Sequence, residues 1–221
     1  MKHYKLLGII FDMDGLMFDT ESLFLIAEKK LAKQYGRKMT RDTFHRMQGL
    51  LGLESMKVFA KDLEIKENPK LLFKQRSLVV YKLLESKLRP MFGLFDLLKF
   101  LKKNNFKLAI ATSASLKWLN AINKQYGVKK YFSVIVTADQ VRRGKPSPDI
   151  FLKAAKQLGI LPKNILVLED ASNGLAAAKN GGFRCAVVRD KHHRQIKFSN
   201  ADLIVTKLNS RRLLNYIKKY A

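Results

Sequence analysis

Six short, mostly apolar runs, each giving way to polar or charged residues, constrain this chain more than any other feature. They are Leu7 to Phe11, Phe106 to Ala111, Phe132 to Val136, Ile165 to Leu168, Phe183 to Val188 and Leu203 to Val205. Their apolarity is continuous rather than alternating, which means strands covered on both faces and therefore a parallel sheet. Helical patterns lie between them. Phe95 to Lys103 carries apolar residues at helical spacing with Asn104-Asn105 as a stop, and Pro148 and Gly159 frame a helix over about 148–158. Strands alternating with helices predict an α/β fold, a doubly wound Rossmann-like parallel sheet.

One stretch breaks the alternation. Residues 21–87 contain no convincing strand, only three or four amphipathic patterns such as Leu23-Ile26-Ala27-Leu31 and Leu71-Leu72-Val79-Leu83. This segment reads as a small all-α domain inserted after the first strand, with Pro90 and Gly93 marking the return to the main domain. The expected division is 1–20 with 88–221 for the core and 21–87 for the insertion.

Charge is the second constraint. The 221 residues carry 43 Lys or Arg against 18 Asp or Glu, a formal charge of +25. A basic face that neutralises phosphates is one explanation. The pattern argues against it, because 31 of the 43 are lysines spread along the whole chain, whereas bidentate readout of bases and phosphates favours arginine. No specific nucleic-acid partner is expected. The one cysteine, Cys185, excludes a disulfide framework and a cysteine zinc cluster. No apolar run approaches the ~20 residues of a membrane span, so the expectation is a cytoplasmic monomer with no membrane contact.

Against this basic background, two acidic pairs stand at strand ends. Asp12 and Asp14 follow the first run in Phe11-Asp12-Met13-Asp14-Gly15, and residues two apart in an extended backbone point the same way. Both can face the carboxyl edge of an open sheet, where such folds bind ligands; an Asp-rich turn ending a strand is the plainer reading. Glu169-Asp170 ends the run Ile165 to Leu168, where a helix cap is the plainer alternative. Crowded carboxylates take up protons unless a cation is bound, and hard oxygen ligands suit Mg²⁺.

Groups suited to phosphate occupy other strand ends. Thr112 and Ser113 follow the second run and offer a hydroxyl and N–H groups at a helix start, though a simple N-cap explains them equally. Lys145 lies in Gly144-Lys145-Pro146-Ser147-Pro148-Asp149, where two prolines stiffen the loop; most of the other lysines are solvated charges.

With Asp12-Met13-Asp14-Gly15, Thr112-Ser113, Lys145-Pro146 and Glu169-Asp170 in this order, the chain resembles the haloacid dehalogenase-like hydrolase superfamily. Within it, the sequence is similar to the β-phosphoglucomutase-like phosphatases that carry an inserted helical cap. The resemblance implies an Asp12 nucleophile that forms an aspartyl-phosphate, and Asp14 as the acid that protonates the leaving oxygen and later activates water. It implies Mg²⁺ held by the Asp12 carboxylate, the Asp14 carbonyl, Asp170 and Glu169, with Thr112, Ser113 and Lys145 on the phosphoryl oxygens. The second aspartate also sets the chain apart from the family's dehalogenases. Asp19 and Thr20 fall at the cap hinge, where Thr20 either couples Asp14 to cap closure or, like Asp19, caps the helix that follows.

The expected activity is Mg²⁺-dependent hydrolysis of a small phosphomonoester. A phosphomutase of the β-phosphoglucomutase type is the alternative, and a basic nucleic-acid-binding protein a more distant one. β-Phosphoglucomutases use a cap histidine and a cap arginine; here Phe24 stands where the histidine is expected, and Gln48 to Glu54 holds no arginine. His45, Arg46 and Arg76 remain as other cap groups, while Trp118 is assigned to packing and His192-His193 to a surface loop.

Overall fold

The computed structural model describes residues 5–47, 50, 52–189 and 197–221. The chain divides into two compact units, one made of Met1–Asp19 with Pro90–Ala221 and the other of Thr20–Arg89. Residues 48, 49 and 51 of the cap segment and the His192-His193 pair lie outside the described residues.

In the first unit the apolar runs form a wholly parallel sheet: β1 (Gly8–Phe11), β2 (Lys107–Thr112), β3 (Val134–Thr137), β4 (Ile165–Glu169), β5 (Arg184–Val188) and β6 (Leu203–Val205). Their order is β3-β2-β1-β4-β5-β6. Strand ends differ from the apolar runs by a residue or two for local reasons. Phe106 is lost to β2 because its N–H bonds the Leu101 carbonyl and closes a helix end. Thr112 is gained because it still pairs, level with Thr137.

Among its described residues the second unit contains four helices, α1 (Thr20–Gln34), α2 (Arg41–Met47), α3 (Gly52–Asp62) and α4 (Pro69–Lys87). α4 begins where Asn68 accepts the Lys70 N–H and Pro69 fills the first turn, a position that needs no N–H. Leu31, Phe44, Met56, Phe59 and Leu72 are buried in this unit's own core. At one end of that core a buried ion pair replaces apolar packing. Arg76 donates to Glu28 Oε1 at 3.3 Å and to Ser55 Oγ at 3.1 Å, and its guanidinium lies over the Phe24 and Phe73 rings.

Among the described residues of the first unit, five further α-helices are present: α5 (Leu94–Lys103), α6 (Leu116–Tyr126), α7 (Asp149–Leu158), α8 (Ser172–Asn180) and α9 (Arg211–Lys219). The fully buried Phe151 of α7 packs with Ile10, Ala109, Ala111, Val136 and Val167 from four strands. The larger of these side chains each stabilise by about 1.5–3 kcal/mol on burial.

The sheet order reverses at β1, which pairs with β2 on one side and β4 on the other. This is the switch point at which open α/β sheets leave a crevice beyond their carboxyl ends. Phe11 pairs with both Ile110 and Leu168, so Asp12 stands level with Ala111 and Glu169, and Thr112 and Asp170 follow one residue later.

Candidate active site

Three strand ends and one loop build the site. Asp12 leaves β1 with its N–H bonded to the Leu168 carbonyl at 3.0 Å, which keeps it in register with β4 as it points out of the sheet edge. Its carboxylate is buried and meets Lys145, whose Nζ lies 2.5 Å from Asp12 Oδ1 and 2.6 Å from Glu169 Oε1. The ammonium also lies 3.4 Å from the Ala111 carbonyl and over the Phe151 ring.

The Lys145 loop is tied down at its far side. Arg143 donates two hydrogen bonds to Asp149, and Ser147 Oγ donates a third at 2.7 Å, so the loop is fastened to the first residue of α7. Fastening matters because a lysine side chain has many rotamers to lose on burial.

Glu169 is oriented by its own backbone surroundings. Its Oε2 accepts the N–H groups of Asp170 and Ala171 at 3.0 and 3.1 Å, and Oε1 is left to Lys145. The carboxylate folds over the first turn of α8, where a Cβ on Gly174 would come within 1.7 Å of Oε1. Gly15 makes room in the same way for Asp170: it holds a φ of +79° that disfavours side chains, and a Cβ there would lie 2.1 Å from Asp170 Oδ2.

Carboxylate oxygens of Asp12, Glu169 and Asp170 all lie within 4.8 Å of one another, and all three residues are buried. Three buried carboxylates against one ammonium leave two formal negative charges in excess, and a set of hard oxygen donors with that deficit suits a divalent cation. Asp12 responds to both its burial and its neighbours' charges. Burial pushes its carboxyl up to about 7, Lys145 pulls it back down, and the Glu169 and Asp14 charges push it up again. For Lys145 burial works in the opposite direction, but the Asp12 and Glu169 carboxylates outweigh it and hold the ammonium above the usual lysine range.

Asp14, half-buried two residues after Asp12, accepts hydrogen bonds from both ends of the β2–α6 connection, Thr112 at the end of β2 and Trp118 in the first turn of α6. Trp118 Nε1 donates to Asp14 Oδ1 at 2.9 Å, and Thr112 Oγ1 donates to Oδ2 at 3.4 Å. Thr112 Oγ1 also accepts the Ala114 N–H. The cap of α6 is not Thr112 but Ser115, whose Oγ accepts the Trp118 N–H. Ser113 is half-buried in the same connection. Asp19 ends the first unit and Thr20 opens α1 in the second.

Trp118 is the residue that sequence reasoning missed. Assigned to packing, it is indeed buried, yet its polar edge bonds a site carboxylate. A signal was present: position 118 falls in the first turn of the helix that starts at the same sheet edge, and a buried indole N–H needs a partner.

Comparison with known proteins places the chain in a family. The sequence profile of the haloacid dehalogenase-like hydrolases matches residues 9–188, and the chain belongs to that family. It is 35% identical over 179 residues to a phosphatase of phosphorylated carbohydrates from Thermotoga maritima, covering 79% of this chain and 81% of that one. It is 33% identical over 184 residues to β-phosphoglucomutase of Bacillus subtilis, covering 79% and 80%. Among solved structures, CbbY from Rhodobacter sphaeroides in complex with phosphate is 27% identical, with a TM-score of 0.77 over 92% of this chain and 95% of that one. The protein is thus a phosphoric monoester hydrolase of the β-phosphoglucomutase-like branch.

Proposed function

We propose that the protein is a Mg²⁺-dependent phosphatase that hydrolyses a small phosphomonoester through an aspartyl-phosphate on Asp12. One observation carries the reading: a buried carboxylate at a strand end is pinned by Lys145 on one side and faces two further carboxylates on the other. Phosphoryl transfer depends mostly on positioning and neutralising charge, and these groups supply both. Asp12 attacks phosphorus while Asp14 gives its proton to the leaving oxygen and later takes one from the attacking water. Lys145 neutralises the transferring oxygens, and Thr112, Ser113 and the N–H groups of their loop orient them. Asp12, Asp170, Glu169 and the Asp14 carbonyl are the groups that would hold Mg²⁺, which when bound neutralises the phosphoryl charge. Asp19 and Thr20 serve as the hinge between the core, residues 1–20 and 88–221, and the helical unit, residues 21–87, which is read as a cap domain.

Hydrolysis is favoured over the mutase reaction by the state of the two candidate cap arginines, Arg76 and Arg46. Arg76 is committed to Glu28 and Ser55, and Arg46 to Asp42 and Asp62, so both already have partners that a second substrate phosphate would have to displace. Phe24 lies against the Arg76 guanidinium and brings no proton-transfer group. The substrate proposed is a single phosphate ester of a sugar, polyol or nucleoside-like alcohol, and the enzyme is read as a cytoplasmic monomer whose basic charge serves no specific nucleic acid.

A phosphate-release screen over small phosphomonoesters with Mg²⁺, followed by ³¹P NMR on a hexose 1-phosphate primed with its bisphosphate, tests the reading. Inorganic phosphate is the expected product. Stoichiometric conversion to the 6-phosphate with little phosphate released would establish a mutase instead.

A further inference from the structure

We propose that Trp118 is a positioning residue for Asp14, its indole N–H fixing the carboxylate that exchanges the proton with the leaving group. The inference rests on the phosphatase reading above and adds to it a residue outside the four motifs.

Geometry carries it. The indole bonds the Asp14 carboxylate more closely than Thr112 does, 2.9 Å against 3.4 Å. Trp118 is 8% exposed and sits in the first turn of α6. That turn is anchored twice, by Ser115 Oγ on the Trp118 N–H at 3.3 Å and by Asp139 Oδ2 on the Leu116 N–H at 2.8 Å. The indole is therefore fixed by a capped helix on one sheet edge, while Asp14 hangs from the loop after β1 with Gly15 next to it. An indole N–H donates and does not accept, so it holds a carboxylate oxygen without competing for the proton in transit. Placement by a rigid donor matters because a displacement of about 1 Å at a reacting group can cost about a hundredfold in rate.

A purely structural account runs the other way, with Asp14 merely satisfying a buried indole. The two accounts differ in what Trp118→Phe does, since phenylalanine keeps the aromatic ring and loses only the N–H. If Trp118 positions Asp14, single-turnover phosphorylation of Asp12 should slow roughly tenfold or more with an alkyl phosphate, whose leaving oxygen needs the proton. With an activated aryl phosphate it should change by less than about threefold, because that leaving group needs little protonation. KM should stay near the wild-type value for both. Equal losses on the two substrates, or no loss on either, would overturn the proposal.

Trp118 is the one tryptophan in the chain, so its emission reports this contact without any turnover. Folded Asp14→Asn and Asp14→Ala proteins should differ from wild type in emission maximum or quantum yield, and unchanged emission in both would show that the contact is not made. This arm needs no substitution at 118. If the emission responds but no phosphomonoester is hydrolysed, the phosphatase reading fails and the positioning role falls with it; if hydrolysis is found and the emission does not respond, only the inference about Trp118 fails.

Discussion

Lys145 Nζ stands 2.5 Å from Asp12 Oδ1, joining a loop lysine to a strand-end aspartate 133 residues earlier in the chain. The same ammonium spans to Glu169, so one cation offsets part of the repulsion between two buried carboxylates. Lys145→Met should lower kcat by about 10²–10³, the range seen when one charge-stabilising donor is removed from a site. It should also destabilise the metal-free protein, because breaking a buried ion pair leaves uncompensated charge. Steady-state kinetics and thermal melts with and without Mg²⁺ check both effects, and a variant with wild-type turnover would remove Lys145 from the mechanism.

Asp12 gives a pH dependence with a definite sign. Its carboxyl, raised to about 7 chiefly by burial, is protonated and non-nucleophilic below that pH in the metal-free protein. Its folded value exceeds the ordinary 3.8, so the protonated form contributes stability that is present at low pH and lost as pH rises through about 7. A bound divalent cation favours the carboxylate and reverses the trend. The acid limb of the kcat/KM profile should therefore move to lower pH as Mg²⁺ is increased, and a chelator should abolish turnover and lower the melting temperature at pH 8. Asp12→Asn should stay folded and lose several orders of magnitude in kcat.

Gly174 sets a helix propensity against a steric demand. In a helix interior alanine is favoured over glycine by about 0.5–1 kcal/mol. Here the added Cβ would fall 1.7 Å from Glu169 Oε1, too close to be accommodated without moving the carboxylate. Gly174→Ala is expected to impair metal-dependent turnover and to raise the Mg²⁺ concentration needed for half-maximal activity. Isothermal titration with Mg²⁺ measures the change, and an unaltered affinity would mean that Glu169 can move freely.

The Glu28–Arg76 pair is buried with one polar atom on each side, Glu28 Oε2 and Arg76 Nε, lacking a hydrogen-bond partner. Burial pushes the Glu28 carboxyl up to about 7 despite the arginine, and burial holds Arg76 below its usual range. Removing one partner, as in Glu28→Leu or Arg76→Met, should destabilise by about 3–5 kcal/mol, whereas the double variant should recover most of that loss. A double-mutant cycle by urea denaturation measures the coupling; additive single effects would show that the pair is not energetically linked.

For the basic charge, any binding of DNA or RNA should be independent of sequence and should weaken steeply between roughly 50 and 200 mM salt, as phosphate-only contacts do. Sequence-selective binding that survives in the higher salt would contradict the reading of that charge as composition.

The parallel sheet was legible in the chain itself, because strands covered on both faces must be apolar throughout, and runs such as Ile165 to Leu168 satisfy that requirement locally. Asp12, Thr112 and Glu169 could be placed for the same reason, since a polar residue directly after a buried apolar run stands at the sheet edge, whereas the roles of Lys145 and Asp14 rested on the family resemblance of the four motifs. Which edge residues touch was decided by strand order and register, which bring Ala111, Asp12 and Glu169 level although more than 150 residues separate the first motif from the last. The Lys145 bridge, the clearance at Gly15 and the Trp118 contact with Asp14 depend on how closely elements remote in sequence approach one another. Periodicity and local propensity carry no such information, since they describe what a residue's own segment does and not what another segment places against it.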